Sequence, residues 1–401
     1  MTSNAVLVRA VIQSEMVMTI TQADVSRDYD ALRGPLMRIF GSFSLVLALA
    51  VCAQAQSLKV GVQLPLTGER SDVGALMKNA LQMAADKVNA SSKGPKWELV
   101  FSDDESTTDG ATKALDKLVK DRQVIAIVGE INSPLVMASA PVVDKEGVPY
   151  ITGGSSPRTT AASPWIFRAG ASDTLLTGFI AQYIVDELKI KSIAILHDKT
   201  GIHNQRAGML VDALKSKYSL DPAVNETWSP GDKDFSAQLA KVKASGAQTI
   251  VAMGETPEGG AFFKSVKASG LKVQVVAHRD FGVKPVFDEA GAAVDGALIV
   301  TEFAPALMPR ATQDWVAAYT KQFGSAPNVI AAQYYDSLLL LAEAAKSGMN
   351  RAGVKAGLEK IRTFPGVMAD YTFDAGRNGV HRFFVARVAG GKLTLVKTLA
   401  E

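Results

Sequence analysis

The chain has 401 residues, 47% of them apolar, enough to bury the cores of two domains and too much for wholesale disorder. Lys+Arg 43 against Asp+Glu 40 leaves a net charge of +3, without the basic excess of a nucleic-acid-binding surface. The single cysteine, Cys52, excludes an intramolecular disulfide and any cysteine-based zinc or iron–sulfur site, and four histidines restrict histidine metal chemistry.

At the amino end, Met37-Arg38 precedes an apolar stretch from Ile39 to Val51 and then Ala53-Gln54-Ala55. A positive start, a short apolar segment and a small-residue site describe a secretory signal peptide over 37–55, with cleavage expected after Ala55. Residues 1–36 carry Asp24, Asp28 and Asp30 where a positive region belongs, so Met37 is the expected start and 1–36 a non-native leader. No run approaches the roughly 20 apolar residues that span a bilayer.

Beyond the leader, strands are expected at 58–64, 97–101, 124–128, 149–152, 192–196, 223–228, 249–253, 273–277 and 297–301. Between them, apolar residues spaced three and four apart predict helices over 73–89, 109–121, 133–146, 174–188, 203–217, 235–244 and 259–268. Further helices are expected at 312–323 and 329–347, and extended segments at 371–374 and 383–396. Alternation with short connections predicts an α/β fold, parallel sheets with helices on both faces. About nine strands favour two lobes, and Gly153–Pro164 is the best boundary by composition.

In such sheets ligands sit beyond the carboxyl ends of the strands, so the following loops hold the candidates. Ser133-Pro134 reads as a helix start with serine as N-cap; the same start offers N–H groups and positive dipole to an anion, and both uses stay open. Gly153-Gly154-Ser155-Ser156 is either a polar linker or a loop whose hydroxyls donate to a carboxylate. Glu255 and Asp280 are solvated loop acids or partners for a ligand ammonium, and Arg279 would attract a second anionic group. His197 ends a strand and is read as packed or solvated. Dinucleotide, P-loop, nucleophile-elbow and zinc-protease motifs are absent, and the S-x-x-K at Ser269 and K-T-G at Lys199 stand in the wrong order for penicillin-recognising enzymes.

The run Ser229–Leu239 with Gln248–Val251, Lys59–Val62 with Pro65–Gly68 and Gly74, Leu196–Lys199, Asp295-Gly296 and the Tyr335–Ala344 helix resemble the substrate-binding proteins of branched-chain amino-acid ABC transporters, the leucine/isoleucine/valine-binding family. The resemblance runs from about Leu58 to the carboxyl end. It implies two flavodoxin-like lobes, 57–169 plus 302–374 and 170–301 plus 375–401, joined by three crossings near Ala169, Glu302 and Ala375. It places a ligand carboxylate at Asn132, Ser133, Gly154, Ser155 and Ser156, with Ile202, Glu255, Arg279 and Asp280 on the opposite lobe. Here Ile202 and Glu255 replace aromatic residues, as does Val73 at the mouth, so the grip on an ammonium is weakened while that on a carboxylate is kept.

The implied function is non-catalytic: a periplasmic receptor that captures a small carboxylate-bearing solute by lobe closure and delivers it to an ABC permease with a separate ATPase. A branched-chain amino acid is the first ligand reading; an aromatic acid, a dicarboxylate or an amide, or a sensory role beside a signalling partner, is the second. No cofactor, metal, nucleic-acid or membrane-spanning role is expected, and the balanced surface permits a monomer.

Overall fold

The computed structural model describes residues 57–91, 94–121 and 123–400. The expected leader, signal peptide and Cys52 lie outside these residues. Among the described residues, no helix is long and apolar enough to cross a membrane.

The first sheet is built around β1 (Leu58–Leu64), whose last five residues are buried because neighbours cover both its faces. It pairs in parallel with β2 (Trp97–Asp103) and β3 (Ala126–Gly129). β4 (Tyr150–Thr152) and β5 (Ile166–Arg168) continue the parallel ladder, giving the order β2-β1-β3-β4-β5. On one face Val60, Val62 and Leu64 share a core with Met77 and Leu81 of α1 (Ser71–Ser91). On the other, Ile127 packs with Leu115 and Leu118 of α2 (Thr108–Asp121) and Val136 of α3 (Ser133–Glu146). A short α4 (Pro157–Ala161) joins β4 to β5.

The chain then enters a second sheet through α5 (Asp173–Gln182) and a π turn to Glu187. β6 (Ile193–Asp198), α6 (Gly201–Tyr218), β7 (Val224–Trp228), α7 (Ser236–Ser245), β8 (Thr249–Met253), α8 (Thr256–Ala268), β9 (Gln274–His278), α9 (Lys284–Ala290) and β10 (Leu298–Thr301) follow. After β10 the chain runs through α10 (Arg310–Phe323), α11 (Val329–Ala344) and α12 (Arg351–Lys360), with α11 packed along α1 on the first sheet. A two-stranded pair, β11 (Phe364–Pro365) and β12 (Asp370–Tyr371), precedes the return to the second sheet as β13 (Arg382–Ala389) and β14 (Lys392–Ala400). That sheet has the order β14-β13-β10-β9-β8-β6-β7, parallel from β7 to β10 and antiparallel beyond. The chain therefore passes between the sheets three times, around 169–172, 302–309 and 372–381.

Several sequence expectations shift. The Gly153–Pro164 stretch is no boundary: it lies between β4 and β5 of one sheet, and the crossing comes after β5. β5 went unpredicted because three residues carry no period. The glycine-containing α12 and the seven-residue α9 were missed for similar want of pattern. The extended segment 383–396 is instead a hairpin, turned at Gly390-Gly391 with φ of +55° and +70°, the left-handed pair that a tight right-twisted turn requires. Ser133 is not an N-cap. Asn132 holds that position with extended backbone (φ −80°, ψ 110°) and no side-chain cap bond, while Ser133 is the first helical residue.

Gly74 lets α1 approach the loop after β1. A Cβ there would stand 2.0 Å from the carbonyl oxygen of Pro65, which is backbone and cannot swing aside. Gly74→Ala is expected to cost about 1–3 kcal/mol as overpacking. Urea denaturation of the two proteins measures it, and an unchanged midpoint would show that the approach is not constrained.

Candidate functional site

Strand order reverses between β1 and β3 in the first sheet and between β6 and β8 in the second. At such switch points neighbouring loops diverge and open a crevice at the carboxyl ends of the strands. The loops concerned start at Pro65 and Glu130 on one side and at Lys199 and Gly254 on the other. Gln205, in the second turn of α6, donates through Nε2 to Ser156 Oγ at 3.2 Å, so the loop after β4, beside the first switch point, meets the start of α6.

On the first side the backbone is tied down by buried groups. Glu130 Oε1 accepts the N–H groups of Ile131 and Asn132 at 2.9 and 2.6 Å. Thr152 donates to the Glu130 carbonyl at 2.6 Å and accepts from Gly154 N–H at 2.9 Å. Ser133 Oγ accepts the Ser156 N–H at 3.1 Å, which leaves its own proton to donate. Ser156 caps α4, its Oγ accepting the Arg158 N–H at 3.4 Å. Arg168, buried, holds the carbonyls of Gly154 and Ser156 from behind. Asn132, Ser133, Gly154 and Ser156 are thus drawn into one turn.

Ser155 departs from its expected role. Its hydroxyl donates to Asp173 Oδ2 at 2.8 Å, so a protein carboxylate already takes it. Asp173 Oδ1 in turn accepts from Arg206 Nε at 2.7 Å, and both side chains are 3% exposed. Burial alone would raise the Asp173 pKa; the Arg206 charge and the Arg206 and Ser155 hydrogen bonds outweigh it and hold it below its ordinary value. Neither Asp173 nor Arg206 stood out in the sequence. The available signal was an arginine in phase with His203, Ala207, Leu210 and Leu214, the buried face of α6.

The second side is built from α6, α8 and the turn after β9. Of the ambiguous pair, Asp280 joins this cluster, whereas Arg279 pairs with the buried Glu302. His203 and His278 are fully buried. His203 Nδ1 lies 2.8 Å from Asp198 Oδ2, and Asp280 Oδ2 lies 3.9 Å from His203 Nε2 and 2.9 Å from His278 Nδ1. Burial opposes charge on His203, but Asp198 and Asp280 raise its pKa to about 9. At His278 burial prevails and lowers it to about 3 despite Asp280. Glu255 shares the His203–Asp198 neighbourhood at the exposed edge, its pKa raised by desolvation and then by the charges of Asp280 and Asp198. Ile202 is exposed at the first turn of α6. His197 is buried in packing, as expected. The aromatic faces of Trp228 and Phe281 lie beneath Gly254, whose absent Cβ would meet them, and are spent on the core.

A groove of about 1160 Å³ lies elsewhere, against α4, α5, α6 and the third crossing, and includes Thr160, Phe179, Met209 and Arg377. It contains none of the switch-point residues, and the unpaired buried nitrogens of His203 and His278 lie outside it.

The sequence profile of a periplasmic binding protein family matches residues 57–392. The chain belongs to this family of binding proteins. It is 30% identical over 346 residues to Leu/Ile/Val-binding protein homolog 1 of Brucella suis, covering 83% of this chain and 90% of that one. It is also 30% identical to an amino acid binding protein of Pseudomonas aeruginosa over 257 residues, 63% of this chain and 67% of the relative. The fold matches the branched-chain amino acid transporter substrate binding protein of Streptococcus pneumoniae in complex with isoleucine, with a TM-score of 0.73, 24% identity and coverage of 86% and 100%. A solute binding protein of an R. palustris ABC transporter in complex with benzoate matches with a TM-score of 0.72, 21% identity and coverage of 86% and 97%.

Two tests follow from this binding protein's buried charges. Arg206→Met would strand Asp173 without its partner and is expected to cost about 3–5 kcal/mol in denaturant unfolding; Asp173→Asn in the same chain should return part of the loss. Glu130 and Asp104 form a buried carboxyl pair: burial and then the hydrogen bond and charge of Asp104 raise the Glu130 pKa well above its ordinary value, while burial raises that of Asp104 against the hydrogen bond with Glu130, which lowers it. The native pair keeps a proton that the unfolded chain gives up above its ordinary pKa. Its stabilisation is therefore present at acidic pH and lost as pH rises through the raised native value. Glu130→Gln should flatten the fall in melting temperature between pH 5 and pH 8; an unaltered slope would mean that the pair does not share a proton.

Proposed function

We propose that the chain is the solute-binding component of an ABC importer, exported to the periplasm through a signal peptide over 37–55, and that it captures a small carboxylate-bearing ligand between the loop ends of its two sheets without chemical turnover. A membrane permease with a separate ATPase receives the solute. The halves divide as 57–169 with 302–374 and 170–301 with 375–401, and the protein works as a monomer.

The observation that supports this reading most is the turn formed by Ser133 and the 154–156 loop at the first switch point, faced by Gln205 across the crevice. Hydroxyl protons of Ser133 and Ser156 and the start of α3 suit an anionic head group. With Ser155 bound to Asp173 and the N–H groups of Asn132 and Gly154 taken by Glu130 and Thr152, the carboxylate rests on the hydroxyls of Ser133 and Ser156. Glu255, Asp280 and Ile202 meet the remainder of the ligand. Closure raises affinity because contacts from both sides exist together only in the closed state.

A branched-chain amino acid is the leading ligand, in keeping with the names of the relatives and with the aliphatic Ile202 and Val73. An aromatic acid is the second reading, favoured by the loss of aromatic faces for an ammonium and by the benzoate-bound neighbour. A thermal-shift screen with leucine, isoleucine, valine, benzoate and succinate separates them, since a ligand of the native state raises the melting temperature by mass action.

Ser133→Ala is expected to weaken binding of the ligand so found by about 1.5–3 kcal/mol, the loss of a charge-assisted contact, read by calorimetric titration. The ligand-free melting temperature should fall only modestly: no helix cap is lost, because Asn132 occupies that position, but the Ser156 N–H loses its acceptor. Unchanged affinity would place the carboxylate elsewhere.

A further inference from the structure

The second side of the crevice contains polar atoms that no structural role absorbs. His203 Nε2 and both ring nitrogens of His278 are buried without a hydrogen-bond partner. Leaving such groups unmade costs free energy that native proteins avoid unless the groups serve another purpose. His203, His278 and Asp280 each offer one ligand atom, all within 4.8 Å of one another. Asp280 Oδ2 is the common neighbour, 2.9 Å from His278 Nδ1, which is out of line for a hydrogen bond, and 3.9 Å from His203 Nε2.

The surroundings have the form of a ligand shell. Asp198 Oδ2 sits 2.8 Å from His203 Nδ1, so Nδ1–H donates to the carboxylate, and Nε2 faces Asp280, where a metal ion would take the place of its proton. This carboxylate–histidine arrangement orients the ring of a metal-bound imidazole and raises its basicity. Charge agrees with the geometry. Arg206 is paired with Asp173 and Arg279 with Glu302, while Asp198 and Asp280 have no arginine or lysine of their own at pairing distance closer than Arg279 Nε, 3.9 Å from Asp280 Oδ1. Once a cation displaces the Nε2 proton of His203, two carboxylates stand beside two neutral imidazoles, with Arg279 3.9 Å from Asp280 as the nearest fixed cation. Asp280 is 29% exposed at its side chain, so the cluster is reached from the crevice along that edge.

We propose that His203, His278 and Asp280 bind one late first-row divalent cation, such as Zn²⁺, Co²⁺ or Ni²⁺, with Asp198 orienting His203 from behind. Two imidazoles and one carboxylate suit these ions, whereas Mg²⁺ and Ca²⁺ demand all-oxygen shells. Three protein ligands leave a coordination position for water or for an oxygen of the captured solute. The site stands independently of which solute the crevice receives.

The test is calorimetric titration of the chelator-stripped full chain with Zn²⁺, Co²⁺ and Mg²⁺, together with the visible spectrum of the Co²⁺ form. The expected result is one Zn²⁺ or Co²⁺ per chain, no Mg²⁺ binding, and a Co²⁺ d–d absorption that titrates to the same endpoint. His203→Ala and His278→Ala should each abolish the cobalt spectrum, and Asp198→Asn should weaken binding by about 10–100-fold. Folding of each variant is checked by its far-UV circular dichroism and melting without metal. His278→Gln supplies a milder variant should the alanine change unfold the chain. The proposal is overturned if the wild-type chain binds no Zn²⁺ at one equivalent, if Mg²⁺ competes equally, or if folded His203 and His278 variants keep the spectrum.

Discussion

Parallel strands covered on both faces leave their carboxyl-end loops as the place where polar groups gather. That constraint organises this protein. β1 and β6 are buried on both sides over most of their length because helices pack over both faces, so neither strand has an exposed flank on which to build a site. Ser133, Ser156, His203, Glu255 and Asp280 all stand just past the carboxyl end of a strand, at or beside a point where strand order reverses. Two wound sheets, each with such an end, bring these loops close together, as the Gln205–Ser156 hydrogen bond shows.

The buried ion pairs hold these ends in register. Asp173 sits where the chain first passes from one sheet to the other, and it takes Ser155 from the first side and Arg206 from the second. Glu302, just after β10, takes Arg279 of the same sheet where the chain passes back. Both anchors lie at passages between the sheets, so a change in the angle of the two halves works directly on the loops. Ser155 is thereby committed to Asp173, and of these hydroxyls Ser133 and Ser156 are the ones proposed for a solute.

The two sides differ in character. The first is backbone-rich and held by hydroxyls and a buried carboxyl pair. The second gathers histidines, carboxylates and a paired arginine, with its aromatic residues sunk under Gly254.

Much was legible in the sequence because it rests on local pattern. Period-two and period-3.6 runs placed most strands and helices, and loop chemistry singled out Ser133, Gly154–Ser156, Glu255 and Asp280. What escaped was either too short to carry a period, as β5, or defined by partners distant in the chain. The 153–164 stretch looked like a linker because its composition is that of a loop, yet pairing of β5 to β4 keeps it inside one sheet. Ser155 and Ser156 are chemically equal in sequence; only the fold gives one to Asp173 and the other to the crevice. Composition and periodicity thus determined the α/β class and the loops where chemistry would lie. Tertiary structure alone decided which side chains face one another, because contacts between Asp173 and Arg206 or between His203 and His278 span 33 and 75 residues and depend on how two sheets meet rather than on any local preference.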